Sequence, residues 1–202
     1  LGWPKEDGDF EYWKEGTPVQ YCGKDNLRQQ SAMWQAMLMA SGLPNTKHII
    51  IDGFITAPDG SKMSKSSGNV ISPIDILETF KDVTDFPEDV LRFVLLHDIS
   101  SFEDGGMSLE TIKASYTAHL QNGIGNITNR IMKLSVNNLE DVKFNLEEVN
   151  FKNKGLEVFD SMKAIHAVMK EVQDLDQHIQ KTEPFKVIKV DIETGKVLIR
   201  EN

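Results

Sequence analysis

Apolar positions fall into two rhythms along the chain, and the change of rhythm divides it. Before residue 70 the apolar runs are short and β-branched. Val19 to Cys22 reads as a strand, Gly23 breaks it, and Asp25 can cap a helix that ends near Gly42 and Pro44. Lys47 to Ile51 reads as a buried parallel strand, followed by a turn at Pro58-Asp59-Gly60. Ligands of open α/β sheets bind at the carboxyl ends of strands, so Gly23 to Asp25 and the loop after Thr56 are the places to inspect.

From Leu109 the period lengthens. Leu109, Ile112, Tyr116, Leu120, Ile124, Ile127, Ile131 and Leu134 recur at steps of three and four, which predicts one long amphipathic helix. A second series from Leu156 and Phe159 through Met162, Ile165, Val168, Val172 and Leu175 to Ile179 predicts another, ended by Pro184. Two such stripes imply a helical bundle. Beyond Phe185 the pattern suits either a hairpin turning at Thr194-Gly195 or two helices separated by Gly195.

The chain has 202 residues, enough to bury a core without disulfides or a structural metal. Its single cysteine, Cys22, excludes a disulfide framework and a Cys-rich zinc module, and suits a reducing compartment. No apolar run approaches the roughly 18 residues of a membrane span, and no secretory leader is visible, so a cytoplasmic location is expected, with no membrane partner. A net charge of −9 argues against indiscriminate DNA binding. Residues 71–110 carry 10 acidic and 2 basic groups, while residues 111–202 balance at 13 and 13, so most of the excess is a local acidic, solvated face.

The most specific chemistry is Lys62-Met63-Ser64-Lys65-Ser66, continued by Ser67-Gly68-Asn69-Val70. Two ammonium groups three residues apart, interleaved with hydroxyls and followed by glycine, make a cationic loop suited to a polyphosphate. Fixed positive charge there stabilises a departing anion more than the bound reactant. By composition alone the same residues also fit an ordinary Lys/Ser surface loop.

Those five residues spell KMSKS, the second signature of class I aminoacyl-tRNA synthetases, and the continuation matches the same family. Tyr21-Cys22-Gly23-Lys24-Asp25-Asn26-Leu27-Arg28 with Trp34, then Ala40-Ser41-Gly42-Leu43-Pro44, resembles the GKD segment of methionyl-tRNA synthetases. Asp89-Val90-Leu91-Arg92-Phe93 and Ser101-Phe102-Glu103-Asp104-Gly105 resemble the stretch joining their catalytic and helical domains. Gly125-Asn126-Ile127-Thr128-Asn129-Arg130 and Thr182-Glu183-Pro184-Phe185 resemble their anticodon-binding helices. The resemblance runs from about Leu1 to Phe185.

It implies an α/β half of a class I synthetase Rossmann-type catalytic domain over 1–70, a stem over 71–107, and an incomplete all-α anticodon-binding bundle over 108–202. Lys62 and Lys65 become the catalytic cations, and Gly23, Asp25, Met63, Ser64 and Ser66 join them in binding ATP with its Mg2+. Asp25, Gln30 and Trp34 belong to the methionine pocket, and Asn126, Arg130, Pro184 and Phe185 to the face that reads the tRNA anticodon. Gln29-Gln30 stands where the family usually has Phe-His, and Phe185 where it usually has Trp, which removes an imidazole and an indole donor.

No HIGH-like signature occurs, so the chain is expected to be the carboxyl-terminal portion of a synthetase, inactive alone. No metal ligand is expected within it, and any zinc belongs to a connective domain outside this sequence. The expected partners are methionine, ATP and the methionine tRNA. A valyl, isoleucyl or leucyl synthetase, or a noncatalytic tRNA-binding module, stays open beside this reading. Asn126 and Arg130, four apart, share one helix face. Phe185 is expected near them if the second long helix runs antiparallel to the first.

Overall fold

Residues 10–64, 68–140 and 155–201 are described by a computed structural model, in which the chain forms two compact units. Unit 1 comprises Leu1–Val70 with Ile99–Met107, and unit 2 comprises Ile71–Asp98 with Ser108–Asn202. The stretch 71–107, expected as one stem, is thus divided between them.

In unit 1 a short helix, α1 (Phe10–Glu15), precedes β1 (Val19–Gly23), which pairs in parallel with β2 (His48–Asp52) so that Val19 faces His48 and Gly23 faces Asp52. The crossover between them is helical: a 3-10 turn (Lys24–Asn26), a π-type turn (Gln29–Met33), then α2 (Trp34–Ala40). Asp25 does not cap this helix. It lies inside the 3-10 turn, and its Oδ1 accepts from the Asn26 side chain at 3.2 Å, because the chain coils immediately after Gly23 and leaves no extended residue at Asp25.

The crossover is fastened through Gln35. Its Oε1 accepts from the Thr46 amide at 3.0 Å, while its Nε2 donates to Thr46 Oγ1 at 3.1 Å. A second small sheet pairs β3 (Ile55–Thr56) in parallel with β4 (Gly105–Gly106), which returns from beyond two helices of the other unit.

Unit 2 is helical. α3 (Pro73–Phe80) opens on a capping box, with the Ser72 hydroxyl accepting from the Ile74 amide and Asp75 accepting from the Ser72 amide. α4 (Pro87–His97) carries Glu88 and Asp89 in its first turn. Part of the local acid excess therefore lies where helix dipoles favour negative charge.

The long helix is continuous but not uniform. It comprises α5 (Leu109–Ser115), a π-type segment (Tyr116–Gly125) and α6 (Asn126–Asn138). α7 (Ser161–Thr182) begins later than its apolar series suggests. Leu156 sits in a 3-10 turn and Phe159 is left-handed at φ 58°, so neither belongs to the helix. Asp160 supplies the start, its Oδ1 accepting from the Lys163 amide at 2.9 Å.

α7 runs parallel to the long helix, contrary to the antiparallel expectation. Met169 approaches Gly123 and Asp176 pairs with Arg130, so both numbers rise together. Antiparallel packing follows from short loops, whereas residues 139–160 separate these helices. Ile112, Ile127, Met169 and Ile179 are buried with Ile76, Phe80, Val90 and Val94.

After α7, Glu183 turns left-handed at φ 45°, and α8 (Pro184–Val187) and α9 (Ile192–Glu201) follow. Gly195 neither turns a hairpin nor separates helices. It sits inside α9, where a Cβ would stand 2.4 Å from Ile188 Cα; its missing side chain admits the preceding segment.

Candidate functional site

The carboxyl ends of β1 and β2 bring Gly23, Lys24, Asp25 and Asp52 to one edge of unit 1. Gly23 ends β1 in extended backbone, and a Cβ there would lie 3.0 Å from Asp25 Oδ1. Burial pushes the Asp52 carboxyl up, and burial followed by the Asp52 and Asp25 charges raises the Cys22 thiol. Cys22 is therefore a protonated thiol and no nucleophile at neutral pH.

Asp104, returning just before β4, ties this edge together. Its Oδ1 accepts from Lys24 Nζ at 2.7 Å and from the Phe54 amide at 2.7 Å. Gly53 makes this approach feasible, since a Cβ there would lie 2.1 Å from the Glu103 carbonyl oxygen. The Lys24 bond first, and the Phe54 amide next, hold Asp104 below the ordinary carboxylate value of 3.8.

That depression has a definite sign. The stabilisation is present above the ordinary carboxylate value and is lost as pH falls through the lowered folded value. Exchange of the Phe54 amide with solvent is therefore expected to be slow and level with pH, once intrinsic rates are divided out, until acid protonates Asp104. Asp104→Asn should raise the exchange at neutral pH and abolish the acid-dependent rise. An identical pH profile in the variant would show that Asp104 does not hold this junction.

The cationic loop grows from the same unit. Lys62 pairs with Thr56 in an antiparallel bridge, so its backbone is fixed beside β3. Asn69 closes the other end: its Oδ1 accepts from the Ser64 amide at 2.9 Å and its Nδ2 donates to the Lys62 carbonyl at 3.5 Å. Met63 and Ser64 lie between these fastenings. Lys65 and Ser66 fall outside the described residues. Asn69 was visible in the sequence only as part of the motif's continuation, and its clasping role needed the fold.

Gln30 lies inside the π-type turn that follows Asp25, and Trp34 comes directly after it. The Gln30 carbonyl accepts from the Gln35 side chain at 3.0 Å, and Trp34 is 37% exposed rather than core. Gly23, Asp25 and the root of the cationic loop are joined through Lys24, Asp104 and Phe54; Gln30 and Trp34 are linked to them by the crossover helix.

In unit 2 Asn126 and Arg130 share α6, and Pro184 and Phe185 open α8. Asn126 is exposed at the start of α6, whereas Arg130 is half-buried, its Nη1 donating to Asp176 Oδ1 at 2.7 Å. Pro184 is buried and sets the first turn of α8, so it frames the chain and does not present a surface. Phe185 is half-buried beyond the end of α7. The parallel course of α7 carries that end toward the carboxyl end of α6, away from Asn126.

Sequence reasoning also missed a group of imidazoles. His97 at the end of α4, His119 in the π-type segment and His166 on α7 have ring centroids 4.3 Å (His97–His119) and 4.6 Å (His97–His166) apart. Their separation along the chain hid them; only the packing of three helices joins them.

The sequence profile of the family tRNA synthetases class I (M) matches residues 3–132. The chain belongs to that family. Methionine–tRNA ligase of Rhizobium meliloti is 35% identical over 130 residues, covering 64% of this chain and 23% of that protein. The chloroplastic/mitochondrial methionine–tRNA ligase of Arabidopsis thaliana is 37% identical over 140 residues, covering 69% of this chain and 20% of that protein.

A solved structure of Mycobacterium tuberculosis methionyl-tRNA synthetase bound by methionyl-adenylate superposes with a TM-score of 0.80 at 24% identity, covering 98% of this chain and 41% of that one. The likeness shows that this class I (M) chain has the fold of the corresponding part of that synthetase. It spans about a fifth to a third of the length of the curated relatives it matches.

Proposed function

We propose that the chain is the part of a methionine–tRNA ligase that carries the KMSKS loop and the tRNA-reading helices. The parent then activates methionine with ATP to an adenylate and transfers it to the methionine tRNA. The observation that carries this reading is the joining of the β1 end to the root of the Lys62 loop through Asp104, within a stretch matched by the class I (M) profile. That junction fixes a carboxylate, a glycine strand end and a cationic loop on one scaffold, the parts needed to hold a nucleotide against an amino acid.

In this reading unit 1 contributes two parallel strands to a Rossmann-type catalytic domain. Its exposed Tyr21, Met33, Met37 and Phe54 suit the packing of a larger sheet, because parallel sheets are covered on both faces. Gly23, Asp25, Lys62, Met63, Ser64, Lys65 and Ser66 would hold ATP as its magnesium complex, and Asp25, Gln30 and Trp34 would line the methionine pocket. The acidic Asp25 and Asp52 suit the ammonium group of an amino acid. Among the described residues no helix is long and apolar enough to cross a membrane.

Unit 2 would bind the anticodon stem-loop, with Asn126, Arg130 and Phe185 supplying donors and a ring to unstacked bases. Arg130 reaches RNA from a guanidinium already steadied by Asp176. Stacking contributes about 1–3 kcal/mol per base. Arg130→Ala and Phe185→Ala in the full-length parent should therefore weaken aminoacylation through the tRNA while leaving pyrophosphate exchange intact. The measurement compares the methionine tRNA with one of altered anticodon. An unchanged preference between the two tRNAs in both variants would return these residues to the bundle surface.

A further inference from the structure

The imidazole group in unit 2 has a geometry that helix packing alone does not require. His97 Nδ1 lies 2.6 Å from Asp98 Oδ1, so an ion taking the place of the shared proton would meet both atoms. The His97 ring is held between Phe93, stacked at 4.8 Å, and His119 at 4.3 Å. His166 donates its Nε2 proton to the His97 carbonyl at 2.9 Å, bracing the end of α4 from α7.

One ligand atom each of His97, Asp98 and His119 lies within 4.8 Å of the others. Zinc-type bonds of about 2.0–2.1 Å set neighbouring ligands about 3.3 Å apart, an adjustment that side-chain rotation at the partly exposed Asp98 and His119 can supply. Two imidazoles and a carboxylate form a donor set typical of borderline divalent ions with an open fourth position. His97 is buried and Asp98 exposed, so the site has a fixed floor and an entrance. The cysteine argument that excluded a zinc module does not bear on a His/Asp set.

We propose that His97, Asp98 and His119 bind a divalent transition-metal ion of the zinc type, which fastens the end of α4 to the long helix. The site belongs to unit 2 alone and does not depend on the activity proposed above.

The test uses the tag-free full chain near neutral pH, with Co2+ as spectroscopic probe and Zn2+ as competitor. The expected result is visible absorption that saturates at one ion per chain and is displaced by Zn2+. Zinc at about 100 times Kd should raise the melting temperature by about 5–10 °C. Loss of an outer support alone weakens metal sites about 10–100-fold, so His119→Ala and Asp98→Asn should each weaken binding by about 100-fold or more.

A double variant, His48→Ala with His178→Ala, and a Cys22→Ser variant should bind as the parent chain does. Asp98→Asn keeps the shape of an exposed side chain and decides the matter if His119→Ala fails to fold. No saturable absorption, or absorption that survives Asp98→Asn or vanishes with Cys22→Ser, would overturn the proposal.

Discussion

Replacing Lys65 by alanine in the full-length parent is expected to slow adenylate formation by about 10²–10³-fold, roughly 2.7–4 kcal/mol in the barrier. Methionine binding should be nearly unchanged, because the charge acts as negative charge moves onto departing pyrophosphate and not when the amino acid enters. Of the described neighbours, Lys62 bridges to Thr56 and the Ser64 amide donates to Asn69. Pyrophosphate exchange at saturating methionine reads kcat, and its dependence on methionine reads the binding. Lys65→Arg should recover part of the rate, since it keeps the charge and alters only the donor geometry. An alanine variant with normal kcat would make KMSKS here an ordinary surface loop.

The second large effect is expected at Gly53. A methyl group there would stand 2.1 Å from the Glu103 carbonyl oxygen and 2.7 Å from the Asp104 amide, and both neighbours are backbone, which cannot rotate aside. Overpacking of this kind costs about 1–3 kcal/mol, and the absence of any side chain to move puts Gly53→Ala at about 3 kcal/mol. The displacement falls on the segment that carries Asp104, so the Lys24 and Phe54 bonds should be lost with it. Urea unfolding should show a lower midpoint, and Phe54 amide exchange should rise even under native conditions. A midpoint equal to that of the unaltered chain would mean that residues 103–104 move away without cost.

Strands, turns and helices were legible wherever a short-range signal decided them. The β-branched run before Asp52 could form a strand on its own terms. The apolar series through Leu156 and Phe159 misled because periodicity cannot see a left-handed residue, whereas Asp160, directly after Phe159, carried the true start. The parallel course of α7 was illegible, since direction is set by the connection and not by the stripe. At the candidate site, Gly23, Asp25 and Lys62 stood out by spacing. Asp104 and Asn69 did not, because each acts through a partner that only the fold supplies.

Residue numbers also record the order in which the chain is made. Unit 1 takes up Ile99–Met107 after α3 and α4 of the other unit have been laid down, and β3 has no β4 beside it until Gly106 is available. At synthesis rates of about 5–20 residues per second, the stretch from Val70 to Met107 takes about 2–7 s to emerge. During that interval on the ribosome Asp104 is not yet there to hold Lys24 and the Phe54 amide, and the exposed apolar side chains of the crossover helix have only half of their scaffold. A nascent chain stalled near residue 100 should therefore be a far better chaperone client and protease substrate than one released a dozen codons later.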